Sequence, residues 1–427
     1  MRAAVIGLGV EGKKATNSLL EHGWDVYATD LNPNVSFDGL DIPLIEMDLT
    51  EKDQTFSIFA DNLVLDIGFT NRQEIDLCDA IAISPSMWGS SIATSFVNQK
   101  KLLCDVLTGH RDIFTIGITG TNGKTTTVHM LKDILEKAGF NVLVGGNGGG
   151  GFNGYYDLIL EAEEGDYDIM LVEVCDMTLD FASYCFDFDL IGLTNMGNDH
   201  MDVHKTVSNY KNTLVRFFND KDIVIGLNQD FKSDFKDSAK SDTTFFEYQE
   251  DLNVYGKFNR LNAGLAAAIA RKLKIPLDII ESALADFEAV SGRLDMYEIN
   301  NAKIYIGKTD NKDALDSVLK EDNFYAVFMG TPRYNERDRL DMLDDVVKYN
   351  PEVIVLFEGL DDTIDMATYK INSLGYDGRV EIAGSLDEII ALVAEFSHED
   401  AIFIGGNGQD AIIDIQERIK TLSQNLQ

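Results

Sequence analysis

Residues 119–127 read TGTNGKTTT, and they follow a largely apolar stretch that begins at Phe114. An apolar strand that enters a glycine-containing turn with Gly-Lys-Thr predicts a strand, a phosphate-binding loop and then a helix. Glycines let the backbone wrap closely around phosphates, and the helix N-terminus adds partial positive charge. Ile118 stands where the strict GxxxxGK[ST] pattern requires its first glycine. We therefore interpret the stretch as a variant phosphate loop and not as a turn that merely joins a strand to a helix.

The loop residues have separate predicted roles in binding a phosphorylated ligand. The Lys124 ammonium group is expected to reach the terminal phosphates, and the Thr125 hydroxyl can ligate Mg²⁺. The residues predicted to contact the ligand in this stretch are Gly120, Thr121, Asn122, Gly123, Lys124, Thr125 and Thr126.

On both sides of the loop, short apolar strands alternate with helix-like segments, which predicts parallel sheets. A chain of 427 residues is long enough for about three domains. We expect an α/β protein with three domains: a Rossmann-like domain over residues 1–108, a central P-loop ATPase-like domain with a parallel or mixed sheet over 109–295, and a second Rossmann-like domain over 296–427.

Charge and cysteine usage exclude several classes of protein. The chain has 36 Lys+Arg against 72 Asp+Glu, a net charge of −36, whereas a nucleic-acid-binding surface is basic. The sequence contains no run of about 20 apolar residues, so no membrane span is predicted. The apolar run at the N-terminus is too short to fit a signal peptide. The four cysteines form no CxxC pair, so structural zinc and disulfides are not expected. We expect a cytoplasmic protein.

The TGTNGKTT stretch resembles the ATP loop of the Mur ligase family, the ATP-dependent ligases that build the peptide of cell-wall precursors. Folylpolyglutamate synthases belong to the same family. Five more segments resemble family motifs in the same order, so the resemblance covers nearly the whole chain. They are LVE at 171–173, TNMGNDHMD at 194–202, GKFNRLN at 256–262, SGRLD at 291–295 and GGNGQD at 405–410.

The resemblance implies a reaction and its catalytic groups. In the family, a carboxylate attacks the γ-phosphate of ATP, and an amine then attacks the resulting acyl phosphate. The resemblance assigns catalysis to Lys124, Glu173 and His200, and two Mg²⁺ ions to ligands that include Thr125, Glu173 and His200. Simpler interpretations stay open: Glu173 could pair with a surface lysine, and His200 could be structural, with His204 close enough to confuse the assignment.

Further ATP contacts are implied for Asn259, Asn262, Arg293 and Lys308. Asn262 could instead cap the start of a helix. Arg333 resembles an arginine in a family segment near the amino-acid site, and Asn311 lies in a GKTDN stretch similar to one in the D-glutamate-adding branch. We assign Arg333 and Asn311 to the incoming amino acid.

Residues 7–12, GLGVEG, form a GxGxxG turn, and Asp30 ends the next strand. Such a turn suggests a nucleotide site. In the Mur ligase family the same turn binds the UDP part of the acceptor, so the resemblance assigns Gly7, Gly9, Gly12, Asp30 and Ser84 to a UDP-linked substrate. The alternative is a turn that only packs against the sheet.

Two departures from the family pattern bear on the predicted catalytic residues and on the predicted acceptor. Leu214 stands where many members carry a carbamylated lysine, so we expect no such lysine here. Residues 174–178, VCDMT, differ from the Ser-rich set that follows the acidic residue in the D-glutamate-adding branch. This difference places the usual muramoyl acceptor in doubt.

The leading hypothesis is an ATP-dependent ligase that joins an amino acid to a UDP-linked peptide, specifically an archaeal pseudomurein peptide ligase. Its partners would be ATP, an amino acid and the acceptor, and the protein would be a monomer or a homodimer. Two alternatives stay open. The first is a Mur-like ligase for a folate-like or other cofactor carboxylate, and the second is a nucleotide-binding subunit without catalysis.

Overall fold

The computed structural model describes residues 1–41, 55–197, 204–226, 235, 238–398 and 401–426. These residues form two compact units. Of the described residues, the first unit contains those within 1–196, 204–246 and 265–280, and the second contains residue 197 and those within 247–264 and 281–426.

The first sheet, in the first unit, has five strands in the order β3-β4-β2-β1-β5. Its neighbouring strands are parallel except for the antiparallel pair at the β3 edge. The strands are β1 (Arg2–Ile6), β2 (Asp25–Asp30), β3 (Phe56–Ala60), β4 (Leu63–Ile67) and β5 (Ala80–Ile83). The helices are α1 (Val10–Glu21), α2 (Arg72–Asp76), α3 (Ser91–Gln99) and α4 (Leu103–Val106).

The second sheet, also in the first unit, has six strands in the order β11-β10-β9-β6-β8-β7, and all its neighbours are parallel. The strands are β6 (Phe114–Thr119), β7 (Val142–Gly146), β8 (Ile169–Glu173), β9 (Phe188–Leu193), β10 (Asp222–Gly226) and β11 (Ser241–Phe245). The helices between them are α5 (Lys124–Lys137), α6 (Tyr155–Glu164), α7 (Leu179–Cys185) and α8 (Val207–Phe218).

The third sheet lies in the second unit and has the order β12-β13-β17-β14-β15-β16, with only the β12 pair antiparallel. Its strands are β12 (Asp295–Ile299), β13 (Ala302–Ile306), β14 (Ala326–Gly330), β15 (Val353–Phe357), β16 (Arg379–Ala383) and β17 (Ala401–Gly406). The helices that precede it in sequence are α9 (Lys257–Lys272) and α10 (Leu277–Ala285). Its own helices are α11 (Lys312–Leu319), α12 (Met342–Tyr349), α13 (Ile364–Ser373), α14 (Leu386–Phe396) and α15 (Gln409–Leu426).

The central strands are buried on both faces, as expected for parallel sheets that are covered by helices. All five residues of β8 are buried, including the carboxylate-bearing Glu173 at its end. β14 and β15 are likewise buried along their whole length. The predicted α/β fold with three sheets is confirmed. The domain boundaries at 108/109 and 295/296 stay a prediction.

The sheet order also predicts where a ligand binds. In the second sheet, β7 and β9 lie on opposite sides of the β6–β8 pair. The loops after β6 and β8 therefore open at a switch point of the topology, and such crevices at strand carboxyl ends are the usual ligand sites of open α/β sheets. None of the helices in the described ranges has the length and apolar character needed to cross a bilayer.

Candidate active site

The phosphate loop has the predicted strand–loop–helix form. β6 ends at Thr119, and α5 begins at Lys124 after Gly123, whose φ of 83° lies in the left-handed region. The Lys124 ammonium group donates to the backbone oxygens of Gly120 (2.7 Å) and Thr121 (2.8 Å). The lysine therefore folds over its own loop, at the positively polarised N-terminus of a 14-residue helix.

Asn195, at the carboxyl end of β9, fixes the loop from the neighbouring strand. Its side-chain oxygen accepts from the Asn122 N–H (3.0 Å), and its side-chain amide donates to the Asn122 carbonyl (2.9 Å). Its backbone oxygen accepts from the Thr121 N–H (3.1 Å). These three bonds hold the loop backbone in one conformation. The sequence indicated Asn195 only as part of a motif and gave no signal for this role.

Glu173 ends β8 directly beside the phosphate loop, and only 1% of its surface is exposed. The Thr125 hydroxyl donates to its Oε2 (2.7 Å), and the Asn147 side-chain amide donates to its Oε1 (2.8 Å). Within the described residues, no Lys, Arg or His forms an ion pair with it. A buried carboxylate that has only neutral hydrogen-bond donors is poorly compensated. The alternative of pairing with a surface lysine is therefore wrong for the described part of the chain.

These side chains fit a Mg²⁺ ion. Mg²⁺ in nucleotide sites is held by one or two carboxylates, a hydroxyl and the phosphates themselves. Thr125 and Glu173 supply such a hydroxyl and carboxylate in direct contact. No group of three His, Cys, Asp or Glu side chains comes together among the described residues. Glu173, Thr125 and the nucleotide would therefore provide the metal ligands on this side of the site.

The segment Asn147–Gly151, which we term the glycine strap, lies between β7 and α6 and wraps around Glu173. The Asn147 N–H donates to the Glu173 carbonyl (2.9 Å). A Cβ atom at Gly150 would lie 2.2 Å from Glu173 Oε1, so only glycine leaves the carboxylate in this position. The sequence analysis overlooked the strap. Its signal is an asparagine before four glycines at a strand end.

His200, which was assigned to metal binding, lies outside the described residues. His204 lies within them and is buried. Its Nε2 is 2.7 Å from Asp176 Oδ2, and its ring stacks on Tyr210 at a centroid distance of 4.5 Å. Asp176 belongs to the segment that departs from the Ser-rich pattern. His204 is therefore engaged in a buried pair with Asp176.

The GxGxxG turn connects β1 to α1 as predicted. A Cβ atom at Gly12 would lie 1.8 Å from the Gly7 carbonyl oxygen, so the tight turn requires glycine there. Asp30 Oδ2 accepts from the Leu8 N–H (2.7 Å), which means that this carboxylate fixes the turn itself. Gly9 is exposed at the open side of the turn.

Ser84 ends the neighbouring strand β5 and approaches the same turn. A Cβ atom at Gly7 would lie 3.0 Å from its Cβ, and one at Gly9 would lie 3.9 Å from its Oγ. The Ser84 hydroxyl is 2.9 Å from that of Ser86. The structure thus brings together all five residues assigned to the UDP-linked substrate, and their role stays a prediction.

Asn259 and Asn262, the assigned nucleotide contacts, lie within α9 and are buried. The Asn262 amide donates to Asn259 Oδ1 (3.0 Å), and the Asn259 amide donates to the Tyr255 carbonyl (2.5 Å). The alternative that Asn262 caps a helix start is wrong, because α9 begins five residues earlier at Lys257.

In the second unit, Lys308, Asp310 and Arg339 form a charged cluster at the carboxyl ends of β13 and β14. Asp310 Oδ2 lies 3.0 Å from Lys308 Nζ and 3.3 Å from Arg339 Nη1. Burial by itself would raise the pKa of the Asp310 carboxyl, but Lys308 and Arg339 together hold that pKa well below its usual value. Arg339 also donates to Asn407 Oδ1 (3.2 Å), so the cluster reaches the loop after β17.

The two residues assigned to the amino acid are differently placed. Asn311 caps α11, where its Oδ1 accepts from the Ala314 N–H (2.9 Å). The Arg333 side chain is 50% exposed and lies 3.2 Å from Glu336, whereas that of Arg339 is 23% exposed within the cluster. Arg293 lies at the junction before β12, where its backbone oxygen accepts from Gln416 (3.1 Å). The spacing of the arginines in the sequence did not indicate that Arg339, and not Arg333, would lie in the charged cluster.

Comparison with known proteins agrees with this geometry. The model of the Mur ligase middle domain matches residues 118–251, which contain the phosphate loop, Glu173 and Asn195. Residues 118–251 are therefore identified as a Mur ligase middle domain.

Curated relatives and a solved structure extend the match over all three sheets. Over 351 residues the chain is 27% identical to a UDP-N-acetylmuramoylalanine–D-glutamate ligase of Caldanaerobacter subterraneus, covering 73% of each chain. Over 260 residues it is 29% identical to a UDP-N-acetylmuramoyl-L-alanyl-D-glutamate–2,6-diaminopimelate ligase of Clostridium botulinum, covering 49% of this chain and only 53% of that protein. The solved pseudomurein peptide ligase type C from Methanothermus fervidus superposes with a TM-score of 0.59 at 18% identity, covering 100% of both chains.

Leu214, within the matched middle domain, lies in α8 with no exposed surface and belongs to the core of the first unit. The expected absence of a carbamylated lysine rests on this position and stays a prediction.

Proposed function

We propose that this protein is a Mur ligase that uses ATP to join an amino acid to the carboxylate of a UDP-linked cell-wall peptide precursor and releases ADP and phosphate. The observation that carries the proposal is the contact of Thr125 and Asn147 with the buried Glu173 at the head of the phosphate loop. Curated relatives that act on UDP-N-acetylmuramoyl substrates support it.

The proposed chemistry has two steps. An acceptor carboxylate oxygen attacks the γ-phosphorus of ATP, which forms an acyl phosphate and releases ADP. The uncharged amine of the amino acid then attacks the acyl carbon, the C–O bond to phosphate breaks, and the amine loses a proton as the amide forms. Positioning and charge neutralisation supply most of the rate enhancement in such transfers.

The chain's own groups have distinct parts in this scheme. Lys124 stabilises the negative charge that develops on the transferring phosphoryl group. Asn195 keeps the loop backbone in place, and Glu173 with Thr125 holds Mg²⁺, which neutralises phosphate charge when it is bound. The glycine turn with Asp30 and Ser84 would seat the UDP part.

Lys124→Ala tests the proposal. We expect at least a hundredfold loss of amino-acid-dependent phosphate release, because the transferring phosphoryl group loses its nearest cation. Lys137→Ala, at the far end of the same helix, is the matched control and should retain activity within twofold. Unchanged turnover in Lys124→Ala would reject the ligase proposal, and nucleotide binding by the wild type without phosphate release from any acceptor would favour the non-catalytic subunit.

We propose further that the acceptor is a pseudomurein precursor. Two observations support this narrower assignment: the VCDMT segment replaces the Ser-rich set, and its Asp176 is committed to a buried pair with His204. A phosphate-release screen with muramoyl, pseudomurein-type and folate acceptors tests it. Preference for a muramoyl peptide would contradict it. Turnover of a folate substrate, without a rise in melting temperature on adding UDP, would favour the cofactor-ligase alternative.

A further inference from the structure

Glu11 is the one acidic residue of the GxGxxG turn, and the proposed function gives it no role. It lies in the first turn of α1. Its Oε1 accepts a hydrogen bond from the Gly148 N–H (2.6 Å), across a sequence separation of 137 residues. The proposed acceptor turn is therefore bonded directly to the glycine strap.

The other carboxylate oxygen of Glu11 is unusual. Although the residue as a whole is partly exposed, Oε2 is buried and has no hydrogen-bond partner among the described residues. The Tyr155 N–H faces the carboxylate but makes no hydrogen bond of normal geometry to Oε2. A half-satisfied buried carboxylate costs folding free energy. Local rules of this kind are broken most often at functional sites.

The strap is shaped for this contact. A Cβ atom at Gly148 would lie 2.7 Å from Lys14 Cδ and 3.0 Å from Glu11 Oε1. Lys14, on the same face of α1, donates to the Phe152 carbonyl just beyond the strap (2.5 Å). A side chain at position 148 would therefore displace the Lys14 and Glu11 side chains from their contacts with the strap.

At its other end the strap holds the proposed catalytic carboxylate. Asn147, the residue before Gly148, contacts Glu173 through both its side chain and its backbone. A continuous path of hydrogen bonds and one peptide unit therefore runs from the acceptor turn through Glu11, Gly148 and Asn147 to Glu173, whose other oxygen meets Thr125 of the phosphate loop.

We propose that Glu11 is a positioning residue that couples the acceptor-binding turn to Glu173 through the glycine strap. This inference rests on the proposed function for the identity of the two ligands. Occupation of the phosphate loop fixes Glu173, Glu173 fixes the strap, and the strap fixes the turn that receives the acceptor. Because coupling between two binding sites is reciprocal, each ligand then favours the binding of the other.

Glu11→Ala removes the acceptor of the Gly148 bond, whereas Glu11→Gln keeps an oxygen there. Because the coupling is reciprocal, we expect Glu11→Ala to raise KM for the UDP-linked acceptor and KM for ATP by similar factors of at least tenfold, while the Kd for ADP without acceptor stays within twofold. Glu11→Gln should restore both KM values to within about threefold. Glu21→Ala, which removes an exposed carboxylate from the far end of α1, is the control. An unchanged acceptor KM in Glu11→Ala, or a rise in the acceptor KM alone, would overturn the inference.

A second experiment does not depend on turnover. Amide exchange is followed by mass spectrometry with and without ADP and Mg²⁺. In the wild type and in Glu11→Gln, ADP should slow exchange both in the strap and in residues 7–12, whereas in Glu11→Ala it should slow exchange only in the strap. Equal exchange of residues 7–12 with and without ADP in the wild type would refute the coupling. Failure of the proposed function would appear separately, as protection by ADP without phosphate release from any UDP-linked acceptor.

Discussion

Glu11 also makes a prediction about stability. Burial raises the pKa of Glu11 to about 7 from an ordinary value of 4.5. The Gly148 and Tyr155 amides and Lys14 oppose this shift in pKa, whereas Glu173 adds to it. The folded state therefore binds this proton more tightly than the unfolded state does. The resulting stability is fully present below about pH 4.5 and is lost as the pH rises through 7.

Glu11→Gln removes this titration. Above pH 7 the variant should be more stable than the wild type by on the order of 3 kcal/mol at most, and the difference should vanish near pH 4.5. Urea unfolding at a series of pH values measures it. A stability difference that does not change between pH 5 and 8 would show that the carboxyl titrates normally.

The site residues that were predicted from the sequence and those that were missed differ in how far along the chain their contact partners lie. Lys124 and Thr125 are local to a loop whose pattern is readable, and Glu173 ends an apolar strand. Glu11 and Asn147 make contacts that only the tertiary fold creates. The four glycines after Asn147 indicate an unusual loop but not its partner, and the sequence around Glu11 does not distinguish it from a surface acid. Arg339 was missed because spacing in a loop does not specify which arginine turns toward Asp310.

At the level of elements, buried strands were the most predictable feature. Short apolar runs in the sequence predict strands at 63–67, 80–83, 114–119, 169–173 and 353–357, which are the observed bounds of β4, β5, β6, β8 and β15. Polar edge strands such as β11, with the sequence SDTTF, carry no such signal and were missed. β17 extends to Gly406 because both of its terminal glycines pair with β14, at Met329 and Gly330. Strand ends are thus determined by the neighbouring strand as much as by the residues themselves.

The glycine strap, as an element, offers a matched pair of substitutions. At Gly150 a methyl group would enter the space of Glu173 Oε1, whereas at Gly149 its nearest neighbour would be Asn147 Oδ1 at 3.4 Å. Gly150→Ala should therefore displace Glu173 and lower phosphate release at least tenfold, because a misplaced catalytic group loses most of its effect. Gly149→Ala should stay within twofold. Equal activities of the two variants would mean that the strap does not position the carboxylate.

At the scale of the whole molecule, the net charge of −36 dominates the electrostatics. With 72 acidic against 36 basic side chains, at least half of the carboxylates have no basic side chain of their own to pair with. Their mutual repulsion disfavours the compact state. Added salt shortens the screening length from about 10 Å at 0.1 M to about 3 Å at 1 M, which weakens that repulsion.

We therefore expect KCl to stabilise the protein at pH 7.5. If screening contributes about 2 kcal/mol, the melting temperature should rise by roughly 4–8 °C between 0.05 and 1 M KCl. Most of the rise should occur below about 0.5 M, because the screening length changes fastest there.

At pH 5, closer to the sequence pI of about 4.3, the net charge is smaller and the same series should give a smaller rise. Scanning calorimetry at the two pH values separates screening from general salt effects on hydration, which would grow steadily with concentration at either pH. A melting temperature that is flat or falls with KCl at pH 7.5 would mean that local ion pairs, and not the net charge, control the stability of this chain.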